Sequence, residues 1–232
     1  MGPTAADALA RLWAARGFDV DETTPRDLDS VALFGRHAPL VIEIGCGMGE
    51  AMLAMAAADP DRDYLGVDVH TPGLGAMLAR AERDGIGNVA VARGDAVELL
   101  RHGVRSGSLD AVNVFFPDPW PKARHHKRRI IRPEIVAVVR DRLRPGGVLH
   151  TVTDWVHYAE QMLDVLTADS GLRNTAAGYA PRPGDRPLTK FERRGIAAGR
   201  SIYDLIFVRA LEPLEPLEPV ERVAPVAPLT PS

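Results

Sequence analysis

The sequence predicts a doubly wound α/β protein with a mostly parallel sheet. Three observations predict it. Short apolar runs alternate with helix-patterned segments along most of the chain. A glycine loop follows the first run, as Glu43-x-Gly45-x-Gly47-x-Gly49. Acids stand at the ends of the first four runs, at Glu43, Asp68, Asp95 and Asp118, and such sheets bind ligands along that edge.

Taken in order, residues 1–25 mix a weakly helical Ala/Arg/Leu stretch with Asp-Glu-Thr-Thr-Pro and predict a flexible, loosely docked N-terminus. Pro39 to Ile44 reads as a buried strand entering the glycine loop. A helix from about Met48 to Ala58 follows, ended by Asp59-Pro60. Tyr64 to Val69 is the second strand, and a helix from about Gly73 to Arg83 closes at Asp84-Gly85. Val89 to Ala92 is the third strand, and Asp95 caps a short helix to Arg101. The fourth strand spans Leu109 to Phe116. Pro133 starts a helix to Leu143, since proline is tolerated in the first turn. Val148 to Thr153 is the fifth strand, Trp155 to Thr167 a helix, and Ser201 to Val208 a late strand. From residue 212 the repeated Leu-Glu-Pro pattern predicts a disordered, extended tail, leaving 26–211 as the folded domain.

Composition narrows the class. The 232 residues are 46% hydrophobic and 25% charged, an ordinary soluble balance. A net charge of −3 gives no global attraction to nucleic acid, so any RNA surface has to be local. One cysteine, Cys46, excludes an internal disulfide and fits a reducing cytoplasm. No run is long enough for a membrane span. Adjacent His125 and His126 have no carboxylate or thiol at ligand spacing, so no metal is expected. Both a monomer and a homodimer are compatible with the sequence.

The glycine loop selects its ligand by charge. Glu43 before the turn and Glu50 after it are poor neighbours for phosphate. They favour a cationic ligand without phosphate, and S-adenosylmethionine has that chemistry. Gly45 and Gly47 let the backbone approach it, Asp68 is placed to accept both ribose hydroxyls, and Asp95 the adenine amino group.

The second feature is Phe116-Pro117-Asp118-Pro119-Trp120-Pro121. Three prolines forbid helix and fix one carboxylate and one indole at a strand end. Trp120 either stacks on a base or serves the fold. Six Lys or Arg and no acid follow between Lys122 and Arg132. Arg124, His125, Lys127, Arg128 and Arg129 are the candidate phosphate contacts, beside a positioned acid. Lysine occurs only at 122, 127 and 190 in a chain that otherwise uses Arg, and the two cations are not interchangeable at specific contacts.

Phe34-Gly35-Arg36, Glu43 to Glu50, Phe116 to Arg129 and Thr189 to Gly195 resemble the bacterial tRNA (guanine-N7)-methyltransferase family. The match runs from about residue 30 to 210. The resemblance implies a Rossmann-like class I methyltransferase with a seven-stranded sheet, moving a methyl group from S-adenosylmethionine to guanine 46 of the tRNA variable loop and releasing S-adenosylhomocysteine. It implies that Glu43, Asp68, Asp95 and Asp118 bind the donor, with Asp118 also the catalytic position. It further implies that Lys122, Asp154, Thr189, Lys190, Phe191 and Glu192 meet the target nucleotide. Asp68 stands where many members carry Glu. Two other readings compete: a methyltransferase acting on another acceptor, and an RNA-binding module without catalysis. The basic run and Thr-Lys-Phe-Glu oppose the first, and the full set of acids opposes the second.

Overall fold

Valine, leucine and isoleucine runs too short for helices build the centre of the fold. The computed structural model describes residues 5–24 and 26–211. Its strands are β1 (Gly17–Asp19), β2 (Leu40–Ile44), β3 (Asp63–Asp68), β4 (Val89–Arg93), β5 (Leu109–Phe115), β6 (Leu143–Thr153), β7 (Leu172–Asn174) and β8 (Tyr203–Arg209). Its helices are α1 (Ala5–Arg16), α2 (Ser30–Phe34), α3 (Glu50–Ala58), α4 (Thr71–Arg83), α5 (Ala96–Glu98), α6 (Pro133–Arg142), α7 (Val156–Thr167) and α8 (Lys190–Ala197).

The sheet order is β1-β4-β3-β2-β5-β6-β8-β7, parallel except where β8 pairs antiparallel with β6 and β7. Every residue of β2 is buried, because helices cover both faces of a parallel sheet. Met52 of α3 and Leu74, Met77 and Leu78 of α4 pack over Val41, Tyr64, Val89 and Val91. On the other face Ile135, Val136 and Val139 of α6 and Tyr158, Met162 and Leu166 of α7 pack with Ile42, Leu65, Val112 and Leu149. The chain winds one way from β2 through β3 to β4 and the other way through β5 and β6. The switch point therefore lies between β2 and β5, where ligand crevices form in such sheets.

Three sequence expectations change. The sheet has eight strands among the described residues, where the resemblance implies seven; β1, which pairs in parallel with β4 through Gly17↔Val91 and Asp19↔Arg93, and β7, antiparallel to β8, have no counterpart among the strands read from the sequence. Of the residues expected to be a flexible N-terminus, Ala5–Arg16 form α1 and Gly17–Asp19 form β1. Ala8 is fully buried, Arg11 makes a two-pronged contact to Glu82 of α4, and the Arg93 guanidinium lies 5.1 Å over Trp13. A weak helix signal misleads here because tertiary packing, not propensity, stabilises the helix. The segment 190–197, read only as a motif, is the helix α8. The expected proline-rich tail lies outside the described residues.

Docking of α1 can be tested at Gly75. On a free helix surface, Gly→Ala gains about 1 kcal/mol of propensity. Here the added methyl would sit 2.4 Å from the Ala5 carbonyl oxygen. Gly75→Ala is therefore expected to lower thermal stability, and a rise in Tm would show that α1 does not pack there.

Candidate active site

The glycine loop takes its shape from positions that only glycine fills easily. Gly45 and Gly47 have φ of 74° and 54°, and beyond the chain neighbours no atom of the described residues lies within 4 Å of where a Cβ would stand on either. The loop is braced from β3, because Asp68 accepts the Gly47 amide at 2.8 Å on one oxygen and the His70 amide at 2.8 Å on the other. Asp95 caps α5, accepting from Val97 N at 2.7 Å.

Glu43 differs from these acids. It is buried, and among the described residues its Oε2 has no hydrogen-bond partner. Burial raises its pKa to about 8, because a lone carboxylate is costly away from water. In register across the sheet lie Asn113 and His150, so a buried polar row runs from Glu43 towards β8.

The proline corner carries backbone strain. Phe116 and Trp120 have φ of 51° and 43°, and each immediately precedes a proline. Left-handed backbone at a bulky residue costs about 1–3 kcal/mol and needs surrounding structure to hold it. The Phe116 amide donates to Val152 O at 2.8 Å. Arg129, almost fully buried, donates Nε to Pro119 O at 2.9 Å and Nη1 to Gln161 Oε1 at 3.2 Å, with its guanidinium 4.7 Å over the Tyr158 ring. Burial lowers the Arg129 pKa below the usual arginine value. The sequence expectation that Arg129 grips phosphate does not hold, because the buried side chain is the root of the corner.

The rest of the basic run forms a short 3-10 helix, Ala123–Arg128. Lys122, Arg124, Lys127 and Arg128 are exposed and His125 is half-buried. Trp120 packs edge-on to His125 and under the Arg128 guanidinium at 4.9 Å, so its indole belongs to the strip. Asp118 is exposed, and no hydrogen bond or ion pair within the described residues engages its carboxylate.

Thr189 to Glu192 mounts α8 against this corner. The Thr189 hydroxyl caps the helix by accepting Glu192 N at 3.1 Å. Phe191 rests on Phe116, with ring centroids 5.0 Å apart. Glu192 turns inward, where Arg186 donates to both of its oxygens at 2.6 and 2.8 Å and to Asp204 at 3.0 Å. His150 Nε2 completes the buried network 2.8 Å from Asp204 Oδ1. Burial opposes the Arg186 charge, but Glu192 and Asp204 outweigh it and hold its pKa above the ordinary value. Thr189 and Glu192 are thus buried, while Lys190 and Phe191 face solvent. Asp154, half-buried, is ion-paired to Arg200 at 3.1 Å, and that guanidinium also lies 5.9 Å over Phe191.

A family profile described as "Putative methyltransferase" matches residues 37–205. A tRNA (guanine-N(7)-)-methyltransferase of Streptomyces avermitilis is 55% identical over 206 residues, 88% of this chain and 70% of that protein. The namesake from Halorhodospira halophila is 55% identical over 86% of this chain and 87% of its own length. This chain belongs to the tRNA (guanine-N7)-methyltransferase family. Among solved structures, the 16S rRNA methyltransferase KamB superposes with a TM-score of 0.60 at 17% identity, covering 79% of this chain and 95% of that one. A 16S rRNA (adenine(1408)-N(1))-methyltransferase variant with cosubstrate SAM, from Catenulisporales acidiphilia, gives 0.53 at 17% over 84% and 95%. These two likenesses establish the shared class I methyltransferase fold.

The residues present fit S-adenosylmethionine, the family's methyl donor. The unpartnered Glu43 oxygen is a ready acceptor for a cationic amino group, and the open space above Gly45 and Gly47 leaves room for close backbone approach. Among the described residues no cluster of His, Cys, Asp or Glu could hold a metal, and no helix is long and apolar enough to cross a membrane.

Several contributors had no signal in the residue pattern. Arg186, Asp204 and Arg200 lie in loops and on a late strand, outside the sequence motifs. The helix α8 did have one: Thr-x-x-Glu is a capping-box spacing.

Two variants test these assignments. The raised Glu43 pKa means the unfolded state loses its proton near pH 4.5 and the folded state only near 8, so Glu43 lowers stability as pH rises through that window. Glu43→Gln is expected to stabilise the ligand-free protein by an increasing margin up to about pH 8, reaching on the order of a few kcal/mol. It should also weaken S-adenosylhomocysteine binding at least ~10-fold, a loss of about 1.4 kcal/mol. Thermal scans at about pH 5 and pH 9 with calorimetry read both. Glu192→Ala leaves Arg186 buried with one carboxylate fewer and is expected to cost about 3–5 kcal/mol in chemical denaturation. Unchanged stability with lost activity would instead place Glu192 on the substrate.

Proposed function

We propose that this protein transfers the methyl group of S-adenosylmethionine to N7 of guanine 46 in the variable loop of tRNA, in the cytoplasm. The observation that carries the reading is the junction at Phe116 and Phe191. It sets the strained corner bearing the unengaged Asp118 beside the exposed face of α8, next to the switch point where the glycine loop lies. The names of relatives at 50–55% identity support the guanine N7 of tRNA as acceptor. The position within tRNA rests on the motif resemblance.

The donor supplies an electrophilic methyl carbon on a sulfonium. Guanine N7 has an in-plane lone pair and no proton, so the protein needs no base to create the nucleophile. The N7–carbon bond forms as the carbon–sulfur bond breaks, the bonding pair stays on sulfur, and positive charge appears on the purine. The chain's contribution is alignment and field. Glu43, Asp68 and Asp95 bind the donor, with Asp68 also keeping the glycine loop in shape. Asp118 offers negative charge where the purine becomes positive and accepts from its N1/N2 edge. N7 of a stacked base is crowded, so the guanine leaves its stack to enter the crevice. Asp154, Lys190 and Phe191 border it there.

Lys122, Arg124, Lys127 and Arg128 hold the RNA backbone, with His125 beside them. None of the three lysine ammoniums has an ion-pair partner among the described residues, which leaves these charges available to phosphates. Affinity of this kind is sensitive to salt and largely blind to sequence, so selectivity comes from tRNA shape and the pocket.

Incubation with unmodified tRNA and labelled donor, followed by nucleoside analysis, tests the reading. The expected product is 7-methylguanosine, absent when guanine 46 is replaced by adenine. Asp118→Ala is expected to lower kcat at least ~100-fold, about 2.7 kcal/mol of transition-state stabilisation, while tRNA Kd changes little. A near wild-type rate would remove Asp118 from the chemistry, and a methyl group on an exocyclic amine would overturn the acceptor assignment.

A further inference from the structure

We propose that Glu50 is a positioning residue that couples donor binding to tRNA binding. It is the first residue of α3, directly after Gly49 of the glycine loop. Its Oε1 accepts the backbone amide of Lys190, 140 residues away, at 2.8 Å. Arg193 Nη2 lies 3.5 Å from the same oxygen.

Lys190 is the first residue of α8, so its amide is one of the four at a helix start that have no partner within the helix. Thr189 satisfies the Glu192 amide, and Glu50 satisfies Lys190. Two helix N-termini thus share one carboxylate: α3, which carries it, and α8, which donates to it. Both ends favour negative charge there. The same turn of α8 holds Phe191 against Phe116 of the corner. One helical turn therefore touches the donor loop on one side and the catalytic corner on the other.

The Glu50 side chain is 41% exposed and its ion pair to Arg193 is solvated, so the contact adds little to overall stability. Its effect is on placement. Donor bound on the glycine loop fixes Gly49 and Glu50, and Glu50 then fixes the first turn of α8, which presents Lys190 and Phe191 outward. By reciprocity, RNA ordering that turn strengthens donor binding by the same factor. The inference rests on the functional proposal, in which the loop holds the donor and α8 borders the acceptor.

The test is the dissociation constant of unmodified tRNA with and without saturating S-adenosylhomocysteine, for wild type and three variants. In the wild type the product is expected to tighten tRNA binding about tenfold. Glu50→Gln keeps an oxygen acceptor for the Lys190 amide and should retain most of that ratio. Glu50→Ala should bring the ratio near one at saturating S-adenosylhomocysteine, with Tm little changed. Glu50→Asp, one methylene too short, should also lose the ratio, so the test stands if the alanine variant folds poorly. A wild-type ratio near one, or full coupling in both shortened variants, overturns the proposal. A wild type that binds no tRNA overturns the functional reading instead.

Discussion

Left-handed backbone at Phe116 and Trp120, each directly before a proline, is the constraint on which the site depends. Neither residue adopts that conformation cheaply, so the fold must hold both ends of the corner. It does so from three directions. Val152 fixes the Phe116 amide, Arg129 fixes the Pro119 carbonyl from beneath, and Phe191 covers the Phe116 ring. Asp118, between these anchors, needs no hydrogen bond of its own to stay in place. A carboxylate without a partner among the described residues is available to a substrate, and here rigidity comes from backbone geometry rather than from pairing.

The outer wall of the site is held by charge. Arg186, Glu192, Asp204 and His150 form a buried polar network under α8, joining it to β6 and β8. Such networks are poor sources of net stability compared with apolar packing, yet breaking one is costly, because the remaining charge stays buried. That asymmetry suits a helix that must keep one register against the corner. The four consecutive residues from Thr189 divide the work among them, as helix cap, outward cation, ring contact and buried anchor in turn.

On the donor side the balance runs the other way. Glu43 is buried, among the described residues one of its oxygens has no partner, and it takes up a proton well above the ordinary carboxylate range. A side chain chosen for stability would not be ionisable there. The cost is understandable if a cationic ligand supplies the missing partner, since stability and binding then make opposite demands on one residue.

The sequence alone determined the parallel core, the glycine turn, the four acids at strand ends and the proline corner. Each depends on local properties: apolar periodicity, glycine's access to positive φ, and proline's fixed φ. The resemblance carried by the corner and by Thr-Lys-Phe-Glu reached the family. Tertiary structure decided the rest, because burial and pairing join residues far apart in the chain. Arg129 and Arg128 are neighbours of one chemical type, yet one is buried beneath the corner and the other lies over Trp120. Nothing in their spacing distinguishes them. Equally, the N-terminal helix looks marginal alone and is stabilised only once α4 offers a surface, and Glu50 acquires its partner only when the fold brings residue 190 to it.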